Sequence, residues 1–373
     1  REPENHSDQI VEEKMKLYKE KQECCGCGAC ADVCEKHAIT MEMDEEGFLY
    51  PAVDEQKCVF CQRCRQVCPL KKETVFQRRY RYYGAVNKDQ HVRNRSSSGG
   101  VFSLLADYVL HRSGSVFAAG YDPEMNVVHM EITDAKDLDR VRRSKYVQSD
   151  TGMIFRKIWA RLEEGRWVLF IGTPCQAEAL RLYLDQEYDR LIIADLVCYG
   201  AASPQIWKKY LCWLERRYGG KIEEYDFRDK RNRDHGHTVS WKNGKEEKAY
   251  PLHKDPYIQL YFHNYTIRPS CFQCPFCTTE RNSDITLGDF WGVEKIRPEI
   301  DDRMGVSLVM THSEKGEALW SEIRKKCVSF ECEKKDILQP RLQTPTERPA
   351  RRAVFMTLYR RLPFPAVLWL VPG

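Results

Sequence analysis

The sequence predicts two domains of unlike construction: a small, cysteine-dense α+β domain, then a larger α/β domain with a mixed, partly parallel sheet. Three observations carry this. Cysteine falls in two tight runs between Cys24 and Cys68 and then thins out. From Tyr83 onward, short β-rich runs alternate with helical stretches, the rhythm of an α/β domain. The length of 373 residues also exceeds what one hydrophobic core usually serves. The expected organisation is a charged segment over 1–22, a cysteine-rich domain over 23–72 and a basic, aromatic linker over 73–82. The larger domain then covers 83–332, and a basic, proline-punctuated tail covers 333–373.

Composition narrows the class. Hydrophobic residues at 42% and charged residues at 31% supply real cores and exclude a disordered or collagen-like chain. A formal charge of +4 is small beside 59 basic and 55 acidic side chains, so nothing global proposes nucleic acid as a partner. The longest apolar run, Phe364 to Pro372, falls short of the roughly 20 residues a spanning helix needs, so no membrane span is expected. Arg1 to Gln22 is hydrophilic, with no apolar signal core, which points to a cytoplasmic, reducing setting. There, 17 cysteines read as metal ligands rather than disulfides.

Their spacing identifies the metal. Cys24, Cys27, Cys30 and Cys34 follow C-x2-C-x2-C-x3-C, and Cys58, Cys61, Cys64 and Cys68 repeat it, closed by Pro69. Three such cysteines wrap one face of a 4Fe-4S cubane, and the fourth is thrown across to the neighbouring cluster. Cys24, Cys27, Cys30 and Cys68 are therefore assigned to one cluster, and Cys58, Cys61, Cys64 and Cys34 to the other. Paired zinc sites are the competing reading, but they separate two C-x2-C pairs by a longer gap and often include histidine. Gly26, Gly28 and Ala29 let the backbone pass close to sulfur and donate N–H groups to it. Two details depart from the usual pattern: Cys25 is an extra thiol, and Glu35 stands where proline normally follows the first run. This block reads as a ferredoxin-like domain.

The larger domain has one clear βαβ unit. The strand Trp167 to Ile171 breaks at Gly172-Thr173-Pro174-Cys175 into a helix over Gln176 to Leu184, and a second strand, Leu191 to Val197, ends at Cys198. Each strand thus ends on a cysteine, at the edge where open α/β sheets place ligands. Cys271, Cys274 and Cys277 add a C-x2-C-x2-C run that packing alone rarely produces, so four of these five cysteines are candidates to bind a third cluster. Cys212, Cys327 and Cys332 read as ordinary packed thiols.

Ser96-Ser97-Ser98-Gly99-Gly100 leads into a helix over Val101 to His111, where free N–H groups suit a phosphate, although serine and glycine also make ordinary caps. Ser144-Lys145-Tyr146-Val147-Gln148-Ser149 offers a nucleotide a cation, hydroxyls and an amide; its alternative is a solvated loop. His235-Gly236-His237 resembles a metal pair but sits by the charged loop Arg228 to Arg233, expected to face water. Aromatics from Trp207 to Tyr218 recur at helical spacing and read as core.

Taken in order, several segments resemble the coenzyme F-420 hydrogenase and dehydrogenase beta subunits, in the bacterial form with a fused N-terminal ferredoxin domain. They are Ser97 to Gly100, Ser144 to Ser149, Gly172 to Gln176, Asp195 to Gly200 and Ser283 to Gly292. The resemblance implies a flavin, FAD, beside a third 4Fe-4S cluster. It carries over Cys175, Cys198, Cys271 and Cys274 as cluster ligands, and Ser97, Ser98, Gly99, Gly100, Ser144, Lys145, Tyr146 and Thr173 as flavin-binding residues. Tyr199 stands where related sequences often show histidine, and Cys277 adds a thiol, so the fourth ligand stays open. The activity implied is exchange of a hydride between the flavin and deazaflavin coenzyme or another two-electron small-molecule substrate. Single electrons would pass to or from ferredoxin or a similar redox partner. An electron-relay subunit that wires a separate catalytic partner is the alternative. No acid–base side chain is singled out.

Overall fold

The computed structural model describes residues 16–71, 81–231 and 237–369. Segments 1–15, 72–80, 232–236 and 370–373 lie outside the described residues, and with them most of the expected charged segment, nearly all of the linker, and His235 and Gly236.

The N-terminal region is built on a two-stranded antiparallel hairpin, β1 (Ile39–Met43) and β2 (Leu49–Val53). A four-residue helix accompanies each cysteine run, Ala29–Asp32 and Arg63–Gln66. Each starts from a left-handed residue, Gly28 and Gln62. The Ala29 N–H, the first of its helix, bonds the Cys27 thiol. This is the expected ferredoxin-type α+β arrangement.

The larger domain carries an eight-stranded sheet. Its strands are β3 (Arg81–Asn87), β4 (Ser115–Tyr121), β5 (Val127–Ile132), β6 (Val168–Gly172) and β7 (Leu191–Leu196), then, further along the chain, three more. A three-stranded antiparallel sheet intervenes, made of β8 (Ile222–Asp229), β9 (Thr238–Asn243) and β10 (Glu247–Pro251). β11 (Ile285–Asp289), β12 (Ser307–Thr311) and β13 (Cys327–Cys332) complete the large sheet in the order β13-β3-β12-β11-β7-β6-β4-β5. β4, β6, β7 and β11 are mutually parallel at the centre, and the flanking pairs are antiparallel. The mixed, partly parallel sheet is thus present. β6 is buried at all five positions and β7 at five of six, as strands covered by helices on both faces must be.

The helix after β6 runs Pro174–Leu184, with a capping box between Thr173 and Gln176. Trp207 and Tyr210, on the helix Pro204–Tyr218, are buried, as their spacing predicts. The stretch expected to be a tail is folded instead. Helices Arg352–Tyr359 and Phe364–Leu368 bury Phe355, Met356, Tyr359, Phe364 and Val367 in the same core as Trp207. Its proline punctuation marks helix starts and stops rather than an unfolded chain. Among the described residues, no helix is long and apolar enough to cross a membrane.

The N-terminal region is docked on the larger domain through buried polar contacts. Asp32, fully buried, accepts hydrogen bonds from the backbone N–H groups of Phe155 (2.9 Å) and Arg156 (3.1 Å) at the start of the helix Ile154–Glu163. Thr151 donates to the Cys27 carbonyl at 2.8 Å, and Ser203 to that of Glu46 at 2.7 Å. Arg352, 1% exposed, bonds the Ile267 carbonyl and both carboxylate oxygens of Glu46. Phe48 and Tyr50 of the hairpin join the core of the larger domain.

Candidate functional site

Three groups of cysteines form. In the N-terminal region, one cavity is lined by Cys24, Cys25, Cys27, Cys30, Cys64 and Cys68, and a second by Cys34, Cys58, Cys61 and Cys64. Each thus draws cysteines from both runs. Burial, followed by the neighbouring thiols Cys24, Cys68 and Cys64, pushes the Cys30 thiol well up, and burial with Cys61 and Cys58 raises Cys64. Thiols that oppose one another's ionisation in this way suit a cationic iron centre, which alone would let all four ionise together. The Ala38 N–H donates to the Cys34 sulfur at 3.3 Å, the kind of bond that tunes a cluster.

The third group lies at the carboxyl edge of the parallel strands, where β6 and β7 end. Cys175 opens the helix after β6, and Cys198 follows β7. Burial, then Cys271 and Cys175, raises the Cys198 thiol. Cys271 is pushed up to about 11 by burial, although the Ala201 N–H donates to its sulfur at 3.4 Å. Cys274 is raised chiefly by its bond to Cys277. Cys277 is held down to about 7 by that same bond, helped by Arg341 and Arg281. The five cysteines thus lie near one another, with the Cys277 and Cys274 thiols hydrogen-bonded. Cys25 completes the group from the N-terminal side, its thiol hydrogen-bonded to both Cys175 and Cys27. Thr173 joins here too, its hydroxyl 3.2 Å from the Cys175 sulfur. Cys212 is exposed, Cys327 buried and Cys332 half-buried, all outside these groups. Among the described residues, no three His, Cys, Asp or Glu side chains meet closely enough to hold one metal ion.

The two phosphate-site candidates meet on the same sheet edge. The Ser97 hydroxyl accepts from the Ser144 N–H at 2.8 Å and lies 3.1 Å from the Ser144 hydroxyl. Ser98 donates to the Val306 carbonyl at 2.9 Å. Gly100, at φ +89°, caps the helix Val101–Leu110, and a Cβ on Gly99 would lie 2.2 Å from the Ala85 carbonyl oxygen. Both glycines are therefore demanded by packing as well as by any ligand. Tyr146 stacks on Tyr261 at 5.0 Å. The Lys145 ammonium bonds the Arg142 and Arg143 carbonyls, and burial, opposed by Asp226, lowers it to about 7.

Cations surround this cleft. Arg228 bonds the Tyr146 hydroxyl (3.1 Å), Asp289 (2.9 Å) and the Ser97 carbonyl (3.2 Å); Lys230 bonds the Ser98 carbonyl at 2.6 Å. Arg228 is only 7% exposed, because Asp289 and two oxygen acceptors take it inward. His237 is exposed, as expected. The Nε groups of Arg93 and Arg228 are buried without a hydrogen-bond partner. Orphaned guanidinium donors beside a serine-lined helix entrance fit a phosphate-bearing cofactor. Arg228, Lys230 and Arg268 had no signal in the sequence beyond their charge. Only folding brings them to these sites.

Comparison with known proteins places the two regions. A family model for the C terminus of the coenzyme F-420 hydrogenase/dehydrogenase beta subunit matches residues 165–335. A 4Fe-4S dicluster domain matches residues 23–72. Over 194 residues the chain is 26% identical to the subunit designated F of the F(420)H(2) dehydrogenase of Methanosarcina mazei, covering 47% of this chain and 53% of that protein. The chain thus spans about half the length of this curated relative. Over 55 residues it is 36% identical to an uncharacterized ferredoxin of Methanocaldococcus jannaschii, covering 15% of this chain and 70% of that one. A chain of the F-420-reducing NiFe hydrogenase complex from Methanosarcina barkeri superposes loosely, with a TM-score of 0.46 and 15% identity, over 71% of this chain and 85% of that one.

Proposed function

Because the chain belongs to the family of coenzyme F-420 hydrogenase/dehydrogenase beta subunits and carries a dicluster domain over residues 23–72, we propose that it is an iron–sulfur flavoprotein oxidoreductase. The observation that carries this reading is a juxtaposition: the half-buried cysteine group after β6 and β7 shares one sheet edge with the cation-lined cleft at Ser97 and Ser144. Cys175, Cys198, Cys271 and Cys274 would hold the third 4Fe-4S cluster, with Cys277 and Cys25 at its border. Ser97, Ser98, Gly99, Gly100, Ser144, Lys145, Tyr146 and Thr173 would hold FAD, whose pyrophosphate the orphaned Arg93 and Arg228 donors suit. When bound, the flavin supplies the conversion between single electrons and a hydride.

The residues themselves bind, bury and orient. Arg228 fixes Tyr146 and Ser97 together, and Tyr146, Tyr261 and Phe262 pack as an aromatic group beside Tyr199. Reduced ferredoxin or a similar one-electron carrier is the proposed partner of the N-terminal clusters. Deazaflavin coenzyme or another two-electron small molecule is the proposed substrate, in a reducing, cytoplasmic setting. Anaerobic purification with iron, sulfide and flavin analysis tests this: about twelve irons per chain with one FAD is expected, and zinc in place of iron would end the reading.

The Methanosarcina mazei relative is named as one subunit of a dehydrogenase, which favours a second reading, a relay subunit wired to a catalytic partner. Iron without flavin would select it. With flavin present, chemically reduced ferredoxin should bleach the flavin absorbance faster than NADH or NADPH does.

A further inference from the structure

We infer that Arg268 is a positioning residue that clamps the N-terminal cysteine region to the third cysteine group and biases the centre held by Cys24 toward its reduced state. The inference rests on the reading that Cys24, Cys27, Cys30 and Cys68 hold an iron–sulfur centre.

The Arg268 backbone belongs to the third group. Its N–H donates to the Ala201 carbonyl at 2.8 Å, and its own carbonyl accepts from the Cys271 N–H at 3.0 Å. Its side chain reaches the other way. Nε donates to the Cys24 carbonyl at 2.8 Å, one terminal nitrogen reaches the Leu49 carbonyl at 2.9 Å and the Cys24 sulfur at 3.7 Å, and the other meets the Gln148 amide oxygen at 3.0 Å. Gln148 in turn donates to the Cys25 carbonyl at 2.9 Å. The guanidinium lies 4.2 Å from the centre of the Tyr50 ring, and the residue is wholly buried.

A guanidinium does not deprotonate in a protein, and a buried charge must be paired. None of the hydrogen-bond acceptors just named is a carboxylate. Of these contacts the Cys24 sulfur is the one that would be anionic as an iron ligand, and it is the charge the guanidinium would answer. A fixed cation there stabilises one added electron; no bond forms or breaks and no proton moves. Fork geometry explains why arginine serves, since three of its nitrogens reach three segments of backbone and side chain at once. A Cβ on Gly26 would lie 2.6 Å from an Arg268 terminal nitrogen, so the chain leaves this room by carrying glycine.

The test is a dithionite potentiometric titration of the full chain, followed by low-temperature EPR, on wild type, Arg268→Lys, Arg268→Gln and Gln148→Glu. The signal lost in Cys30→Ser identifies the centre concerned. Arg268→Gln should move its midpoint to a more negative potential and leave the Cys34, Cys58, Cys61 and Cys64 centre unmoved, while Arg268→Lys restores most of the shift. Should Arg268→Gln lose its iron, Gln148→Glu decides: it sets a carboxylate on the same guanidinium without emptying space, and the same negative shift is expected. Wild-type midpoints in Gln148→Glu, or in an Arg268→Gln protein with full iron, overturn the inference. A wild type with no iron signal lost in Cys30→Ser overturns instead the reading it rests on.

Discussion

The N-terminal cysteine region and the cysteine group of the larger domain gather their sulfurs by opposite routes. In the first, eight cysteines lie within 45 positions of one another, and two short helices started by left-handed residues carry Cys30 and Cys64. In the second, the sulfurs come from Cys175 and Cys198 at two strand ends and from a loop about 75 residues later, and the sheet brings them together. A local motif carries its own geometry, whereas a dispersed one borrows it from the fold. The two are also joined: Asp32, Thr151, Gln148 and Arg268 dock the regions through buried hydrogen bonds. That docking holds the two cysteine groups against each other.

Cysteine replacements should separate the two routes most sharply. Cys30→Ser and Cys198→Ser are each expected to remove about four of twelve irons per chain. Only Cys198→Ser should also weaken flavin retention, and Cys212→Ser, exposed on its helix, should do neither. Full iron in Cys198→Ser, measured anaerobically, would return the dispersed group to ordinary buried thiols.

Docking is tested next. Asp32→Ala removes a buried acceptor of two backbone N–H groups across the junction and should cost about 3 kcal/mol. Chemical denaturation should then resolve two transitions where the wild type shows one; a single unshifted transition would show that the regions do not depend on this contact.

Acid should distinguish the regions less strongly. His129, 7% exposed and stacked on Phe170 in the larger domain, is held by burial to about 4. The unfolded chain takes up its proton near pH 6.5 and the folded chain does not, so stability is full above that value and falls as pH drops through 6.5 toward 4. The loss between pH 7 and pH 5 should be about 2 kcal/mol. His129→Gln should flatten that slope in thermal melts. The single histidine of the N-terminal region among the described residues, His37, is exposed. An undiminished slope in the variant would assign the acid response to other groups.

The smallest effect concerns the serine cleft. Ser97→Ala removes the acceptor of the Ser144 N–H and should weaken flavin retention roughly fivefold, about 1 kcal/mol, with iron unchanged. Equilibrium dialysis of the flavin measures this, and unaltered retention would move the phosphate site away from Ser97. Gly99→Asp is a poor substitute, because its side chain would strike the Ala85 carbonyl whether or not a phosphate binds there.

What the sequence alone determined was whatever depends on local spacing. The paired C-x2-C-x2-C-x3-C runs, the βαβ unit with its terminal cysteines, and the core positions Trp207 and Tyr210 follow from periods that neighbouring residues enforce. Tertiary structure decided what distant residues share. It brought Ser97 against Ser144, buried Arg228 on Asp289, and placed Cys25 beside Cys175. It folded the expected tail into the core and turned Arg268 from a loop residue into a buried cation at the junction of two cysteine groups. A charge run looks solvated in a sequence because nothing local reveals its partner. Burial of such a charge depends on acceptors that arrive from elsewhere in the chain, and only the assembled fold supplies them.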